Sequence, residues 1–310
     1  MTATNQSIAR SAEIERFLDT ISGRDKVGGD PRAKEIVRRV VSDLFRTLED
    51  LKIQPAELWS AVSFLTEAGQ ARELGLIAPG LGIDHYLDIL MDEADREAGV
   101  EGGTARTIEG PLYVAGAPLS KGEARLDDGS EEGERLVMHG RVLGPDGAPV
   151  AGAIVDVWHA DTKGRYSFFD PTQTPYNLRR RIETTADGRY RFLSIMPSGY
   201  GVLPGGPTDR LMKALGRHGQ RPAHIHFFVS APGLRHLTTQ INIAGDPLLH
   251  DDFAFATRDT LIPEVARHEA GGPGLAGPYA EIAFDFTLQR PVPGLPNELV
   301  ERARATPRGA

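Results

Sequence analysis

The sequence contains no cysteine. Disulfides, iron–sulfur clusters and thiolate zinc sites are therefore excluded, and any metal must be held by nitrogen and oxygen donors. Long apolar runs are missing too: no stretch reaches the roughly 18 consecutive apolar residues of a membrane span, and the opening MTATNQSIARSAEIERFLDTISGRDKVGGD lacks the apolar core of a secretion signal. The expectation is a cytoplasmic protein. Positive charge is in deficit, with Lys+Arg 35 against Asp+Glu 43 and a net charge of -8. Such a surface is poorly suited to gripping phosphate backbones, so nucleic acid is not an expected partner. Repeats of fixed period and low-complexity segments are absent as well. The 310 residues are enough for one large domain or two smaller ones, each with its own apolar core.

What is present changes character near residue 100. Before it the pattern is helical. Asp30-Pro31 offers an N-cap and a first-turn proline, and Ile36, Val37, Val40, Val41, Leu44, Phe45, Leu48 and Leu51 recur at helical spacing. A second helix runs from Pro55 through Leu58, Trp59, Val62 and Leu65 to Gly69, and a third from Asp84 to Gly99; Ile8 to Ile21 fits a helix less firmly. After it, Gly and Pro punctuate short β-branched runs, the mark of a sandwich or barrel. Strands are expected over 135–143, 153–159, 190–193, 223–229, 236–243 and 279–288, with turns at Gly144-Pro145-Asp146-Gly147 and Asp187-Gly188. The expected fold is mainly β: a helical N-terminal domain over residues 1–101 and a β-sandwich core over 102–310, ending in a loose charged tail over 301–310.

The sharpest chemical feature is His224-Ile225-His226. On a strand, residues two apart share a face, so both imidazoles point one way while Ile225, Phe227 and Val229 point the other. That is a metal-ligand spacing, and it is equally the spacing of two half-buried histidines with no ligand. Acidic partners do not stand out, but Tyr166 and Tyr200 do, each in a glycine-containing segment that allows close backbone approach. Either tyrosine could be a packed ring with a satisfied hydroxyl. Alternatively, a trivalent ion would ionise both phenols, and two phenolates with two neutral imidazoles would leave it one residual positive charge. Arg221, three residues before His224, and Gln240, on the expected next strand, could orient a bound group or be structural. Trp158 reads as a core aromatic, His159 as a surface or turn histidine, and His218, His236 and His250 as ordinary histidines.

Taken together, RTIEGPLYVAGAP, VWHADTKGRYSFFD, NLRRRIETTADGRYRF, MPSGYG, GRHGQRPAHIHFFVSAPG, HLTTQINIAGD and DDFAFATRD resemble the intradiol ring-cleaving dioxygenases, and among them the catechol 1,2-dioxygenases. The helical segment with LGLIAPGLGIDHYLDILMDEAD fits the catechol branch, so the resemblance covers nearly the whole chain. It implies a non-haem Fe(III) held by Tyr166, Tyr200, His224 and His226, with Tyr200 and His226 axial and Arg221 and Gln240 beside the substrate. It implies pocket walls at Leu76, Pro79, Ile108, Pro111, Leu112, Phe253 and Ala254, all apolar, with Arg221 the one nearby cation. The implied reaction is intradiol cleavage of catechol with O2 to cis,cis-muconate, in aromatic-compound catabolism. The implied partners are a second copy through the N-terminal helices and a phospholipid at that interface. The alternatives are hydroxyquinol or chlorocatechol cleavage within the same family, a zinc hydrolase on His224 and His226, and a binding sandwich without metal.

Overall fold

The computed structural model describes residues 7–129, 132–272 and 275–299; the expected tail over 301–310 lies outside them. The helices are α1 (Ala12–Ile21), α2 (Pro31–Asp50), α3 (Pro55–Gln70), α4 (Leu74–Gly80), α5 (Ile83–Glu97) and α6 (Pro207–Ala214). The strands are β1 (Leu119–Lys121), β2 (Glu123–Arg125), β3 (Arg135–Leu143), β4 (Ile154–His159), β5 (Arg179–Glu183), β6 (Arg189–Ile195), β7 (Tyr200–Gly201), β8 (Gln220–Arg221), β9 (His224–Ser230), β10 (Leu237–Asn242), β11 (Ala266–His268), β12 (Tyr279–Ala283) and β13 (Phe286–Thr287).

The chain divides into two compact units at Glu67/Ala68. In the first, Asp30 caps α2 by accepting from the Arg32 and Ala33 amides, as the Asp-Pro pair predicts. Arg38 of α2 bonds Glu15 and Asp19 of α1, and Phe17 stacks on Phe45. The apolar stripe of α2 is not dry core within this chain, since Ile36, Val37, Val40 and Leu44 are all exposed.

In the second unit, β1-β5-β4-β9-β10 form one sheet and β11-β12-β3-β6-β2 another, with β13 also on β3. Alternate residues of the two sheets, among them Met138, Val155, Phe192, Ile225, Phe227 and Ile282, interdigitate in a common core. This is the expected sandwich. The unit boundary falls well before the change in composition near residue 100, because α5 is pinned to the sheet region by ion pairs. Asp95 binds Arg106 and Arg235, Asp92 binds Arg106, and Asp88 binds Arg258.

Three further differences from expectation have physical causes. The run over 279–288 is two strands, because the Phe284 carbonyl takes the Tyr190 hydroxyl and the Asp285 carboxylate takes the Arg141 amide, although the Phe284 amide still bonds His139 O. Strand β5 is unexpected because Arg179-Arg180-Arg181 looks like a solvated face, yet Arg179 is 1% exposed. His159 closes β4 inside the protein rather than at its surface, bonded to Ala160 O and Ser194 Oγ, and burial takes its pKa down to about 4. No single helix among the described residues is long and apolar enough to cross a membrane.

Candidate active site

Sheet register builds the floor of the site. Trp158 of β4 pairs with Arg179 of β5 on one side and His226 of β9 on the other, and His226 pairs with Gln240 of β10. Arg179, Trp158, His226 and Gln240 thus form one cross-strand row on the face turned away from the core. His224 pairs with Asn242 on the same face. The two imidazoles converge with Nε2 atoms 3.0 Å apart. His224 Nδ1 lies 2.7 Å from Pro222 O, so it carries the proton and leaves Nε2 a bare lone pair. Burial pulls His224 to about 3, with Arg221 adding to the effect, and burial followed by the His224 charge pulls His226 well below its ordinary value. Both rings are therefore neutral, the form that binds metal.

Two loops bring the phenols. Tyr200 opens β7, which pairs with β8 so that Tyr200 faces Arg221; its Oη lies 3.4 Å from His224 Nε2. Tyr166 sits in the connection after β4, where Asp161 Oδ1 accepts the Lys163 and Arg165 amides and shapes the turn. Gly164, at φ +74°, is required there: a Cβ would stand 2.7 Å from Tyr200 Cβ and 2.9 Å from Gly199 O. This approach sets the phenol rings 5.4 Å apart and nearly perpendicular. Tyr166 Oη is buried without a hydrogen-bonding partner of standard geometry, the Tyr200 phenol being its polar neighbour. Burial, then Tyr200, pushes the Tyr166 pKa well above 10. A cation placed there would reverse that shift.

Arg221 is held on several sides. Its Nε and Nη2 donate to Asp252 at 3.1 and 3.0 Å, Nη2 also donates to Gln240 Oε1 at 2.9 Å, and Nη1 lies 3.0 Å from His224 Nε2. Burial works against its charge, but the Asp252 carboxylate outweighs that and holds its pKa above the ordinary value. Asp252 was not singled out from sequence. An acid separated from its arginine by two strands and a loop leaves no local signal.

Above these groups opens a cavity of about 510 Å³. Its wall contains all seven expected residues, namely Leu76, Pro79, Ile108, Pro111, Leu112, Phe253 and Ala254, together with Tyr166, Tyr200 and Arg221. His224, His226 and Gln240 are buried and are not part of this wall. Arg221 is not the one cation at the cavity, because Arg165 also lines it, with Nη1 3.2 Å from Asp170. Among the described residues no three His, Asp or Glu side chains gather in a way that could hold a metal, so a centre here depends on the phenols.

Comparison with known proteins shows the family of the chain. The family profile described as "Catechol dioxygenase N terminus" matches residues 30–99, and the one described as "Dioxygenase" matches residues 108–290. Catechol 1,2-dioxygenase 2 of Acinetobacter lwoffii is 60% identical over 256 residues, covering 83% of this chain and 93% of the relative. The crystal structure of catechol 1,2-dioxygenase from Pseudomonas arvilla superposes with a TM-score of 0.91 at 53% identity, over 96% of this chain and 98% of that one. Hydroxyquinol 1,2-dioxygenase of a Rhizobium species is 35% identical, over 89% of this chain and 95% of the relative. The chain belongs to the intradiol catechol dioxygenase family.

Proposed function

We propose that this protein cleaves catechol between its two hydroxylated carbons with O2, giving cis,cis-muconate, at a non-haem Fe(III) held by Tyr166, Tyr200, His224 and His226. The observation that carries the reading is the convergence of two neutral imidazoles and two phenols, one without a standard hydrogen bond, beneath an apolar cavity. The donor set fits a trivalent ion: phenolate is a hard anionic donor, imidazole suits iron, and no thiolate is available. A bound ferric ion supplies the redox centre through which an electron-rich catecholate reacts with O2.

The chain's own residues do the rest. The apolar walls bury the ring and exclude water from it, at ~25 cal/mol per Å² of apolar surface. Tyr200, which lines the cavity, takes up a catechol hydroxyl proton at its Oη. Arg221, whose guanidinium lines the cavity, stabilises the negative charge that develops on the reacting oxygens, a role typically worth ~3 to 4 kcal/mol. Gln240 and Asp252 hold that guanidinium in place. Greater identity to catechol-cleaving relatives than to the hydroxyquinol relative favours an unsubstituted ring. A carboxylated ring fits poorly, since Arg221 serves the reacting oxygens and Arg165 is occupied by Asp170.

We also infer a homodimer through the helical segment. Ile36, Val37, Val40 and Leu44 of α2, with Trp59, Val62 and Leu65 of α3, are exposed, and apolar surface of this kind marks an interface. A phospholipid chain on that face is part of the same reading. The test of the reaction is purification with metal analysis, the visible spectrum before and after catechol, and specificity constants for catechol, hydroxyquinol and protocatechuate. About one iron per chain, a visible phenolate-to-iron band and muconate as product are expected. Zinc without a band, a ring-opened aldehyde, or faster turnover of protocatechuate would refute it.

A further inference from the structure

Arg179 is an unusual residue to find where it is. It is 1% exposed, and its bonds run to neutral groups: Nε donates to Ser167 Oγ at 2.9 Å, and Nη2 to Leu112 O at 2.8 Å and Ser167 O at 3.3 Å. Nη1 is buried without a partner, and among the described residues no carboxylate hydrogen-bonds to the guanidinium. Such a group is costly to bury. The conspicuous π-face against it is Tyr166, whose ring centroid lies 5.6 Å from Arg179 Cζ. A guanidinium keeps its charge in proteins, so a cation faces that ring.

The backbone around it gives a second, independent observation. Of the six non-glycine residues with positive φ among the described residues, Phe168, Tyr176 and Leu178 all lie in the loop between Tyr166 and Arg179. Strained backbone of this kind persists only where its surroundings over-determine it. Arg179 supplies part of that constraint, since it ties Ser167, the neighbour of Tyr166, to Leu112 of the cavity wall. Its place on β5 also puts it at one end of the cross-strand row that contains His226.

We propose that Arg179 is a positioning residue for the metal centre: it clamps the Tyr166 loop to the Leu112 wall and sets its cation against the Tyr166 ring, fixing that phenol toward the histidine pair. This inference rests on the reading of Tyr166 as an iron ligand. Groups that orient a ligand in this way commonly change metal affinity by about 10- to 100-fold when removed.

The test is a double-mutant cycle on iron affinity, measured by competition with a chelator, using wild type, Arg179→Met, Tyr166→Phe and the double variant. Arg179→Met is expected to bind iron at least tenfold more weakly. Its visible band should shift to longer wavelength, because the cation no longer stabilises the phenolate electrons. Both effects should vanish in the Tyr166→Phe background, which a general loss of packing would not produce. Should Arg179→Met fail to fold, Ser167→Ala, which removes the Nε acceptor together with the Ser167 Oγ bond to Asn177 O, is expected to weaken iron binding in the same direction, and Arg179→Lys, which leaves the Ser167–Asn177 bond intact, should do so as well. A folded Arg179→Met with wild-type iron affinity and an unshifted band overturns the proposal, as does an equal effect with and without Tyr166. A wild-type protein that holds no iron overturns instead the reading on which it rests.

Discussion

Replacing Asp252 by Asn tests how Arg221 is held. Arg221 and Asp252 are both buried, and two hydrogen bonds of 3.1 and 3.0 Å join them. Asparagine keeps an oxygen for the Ala254 amide, which Asp252 Oδ1 now accepts at 3.0 Å, but turns an NH2 toward the guanidinium. Removing one partner of a buried pair leaves the other uncompensated, at a cost of about 3–5 kcal/mol. At roughly 2–4 °C per kcal/mol for a chain of this size, the melting temperature should fall by about 10 °C. The pH dependence is a second signature. Burial raises the Asp252 pKa, but Arg221 more than reverses this and holds it below its ordinary value. The stabilisation is therefore present above the unfolded pKa of ~3.9 and lost as pH falls through the depressed folded value. Wild type should lose stability on acidification through this range, and Asp252→Asn should lack that component. The double variant Arg221→Met with Asp252→Leu should recover much of the stability while remaining inactive. Denaturant melts across pH measure all three. An Asp252→Asn protein as stable as wild type, with the same acid limb, would show that Arg221 is not held by this pair.

Two substitutions probe other parts of the site. Gly164→Ala should cost about 1–3 kcal/mol from backbone strain alone, and the clash with Tyr200 Cβ should lower iron content in the surviving folded protein, measured by denaturation and metal analysis. Burial raises Asp156 to about 6, against the lowering effect of its bond from Tyr113. Its contribution is thus fully present below the unfolded pKa of ~3.9 and lost as pH rises through about 6. Asp156→Asn should consequently gain ~1–3 kcal/mol relative to wild type between pH 4 and pH 8; parallel stability profiles for the two proteins would contradict the burial argument.

The parts of the molecule that could be read from sequence are those with a local period or a local cap. Asp30-Pro31 announces α2, and the alternation of Ile225, Phe227 and Val229 with His224 and His226 announces a strand with two faces. The tyrosines are different. Their meeting depends on Gly164 passing within van der Waals reach of Gly199 and Tyr200, a tertiary contact for which glycine in a loop is only a permissive sign. Without the family resemblance, packing is the better explanation of each tyrosine taken alone. Asp252 and Arg179 are illegible for a related reason: each takes its meaning from a tertiary contact, Asp252 with Arg221 and Arg179 with the Tyr166 ring and Leu112.

The row of Arg179, Trp158, His226 and Gln240 shows why this division arises. Each occupies one position on a different strand, so the row exists only once β5, β4, β9 and β10 are paired in this register. A slip of one residue in any strand would send its member of the row into the apolar core and bring a core residue out. The core therefore enforces the site. Ile225, Phe227 and Val229, buried between the sheets, fix the direction of both histidines, and Ile241 does the same for Gln240. The packing that stabilises the sandwich and the convergence of the imidazoles are thus two faces of one register, and the run from Arg221 to His226 places three members of the site close enough in sequence to be seen together.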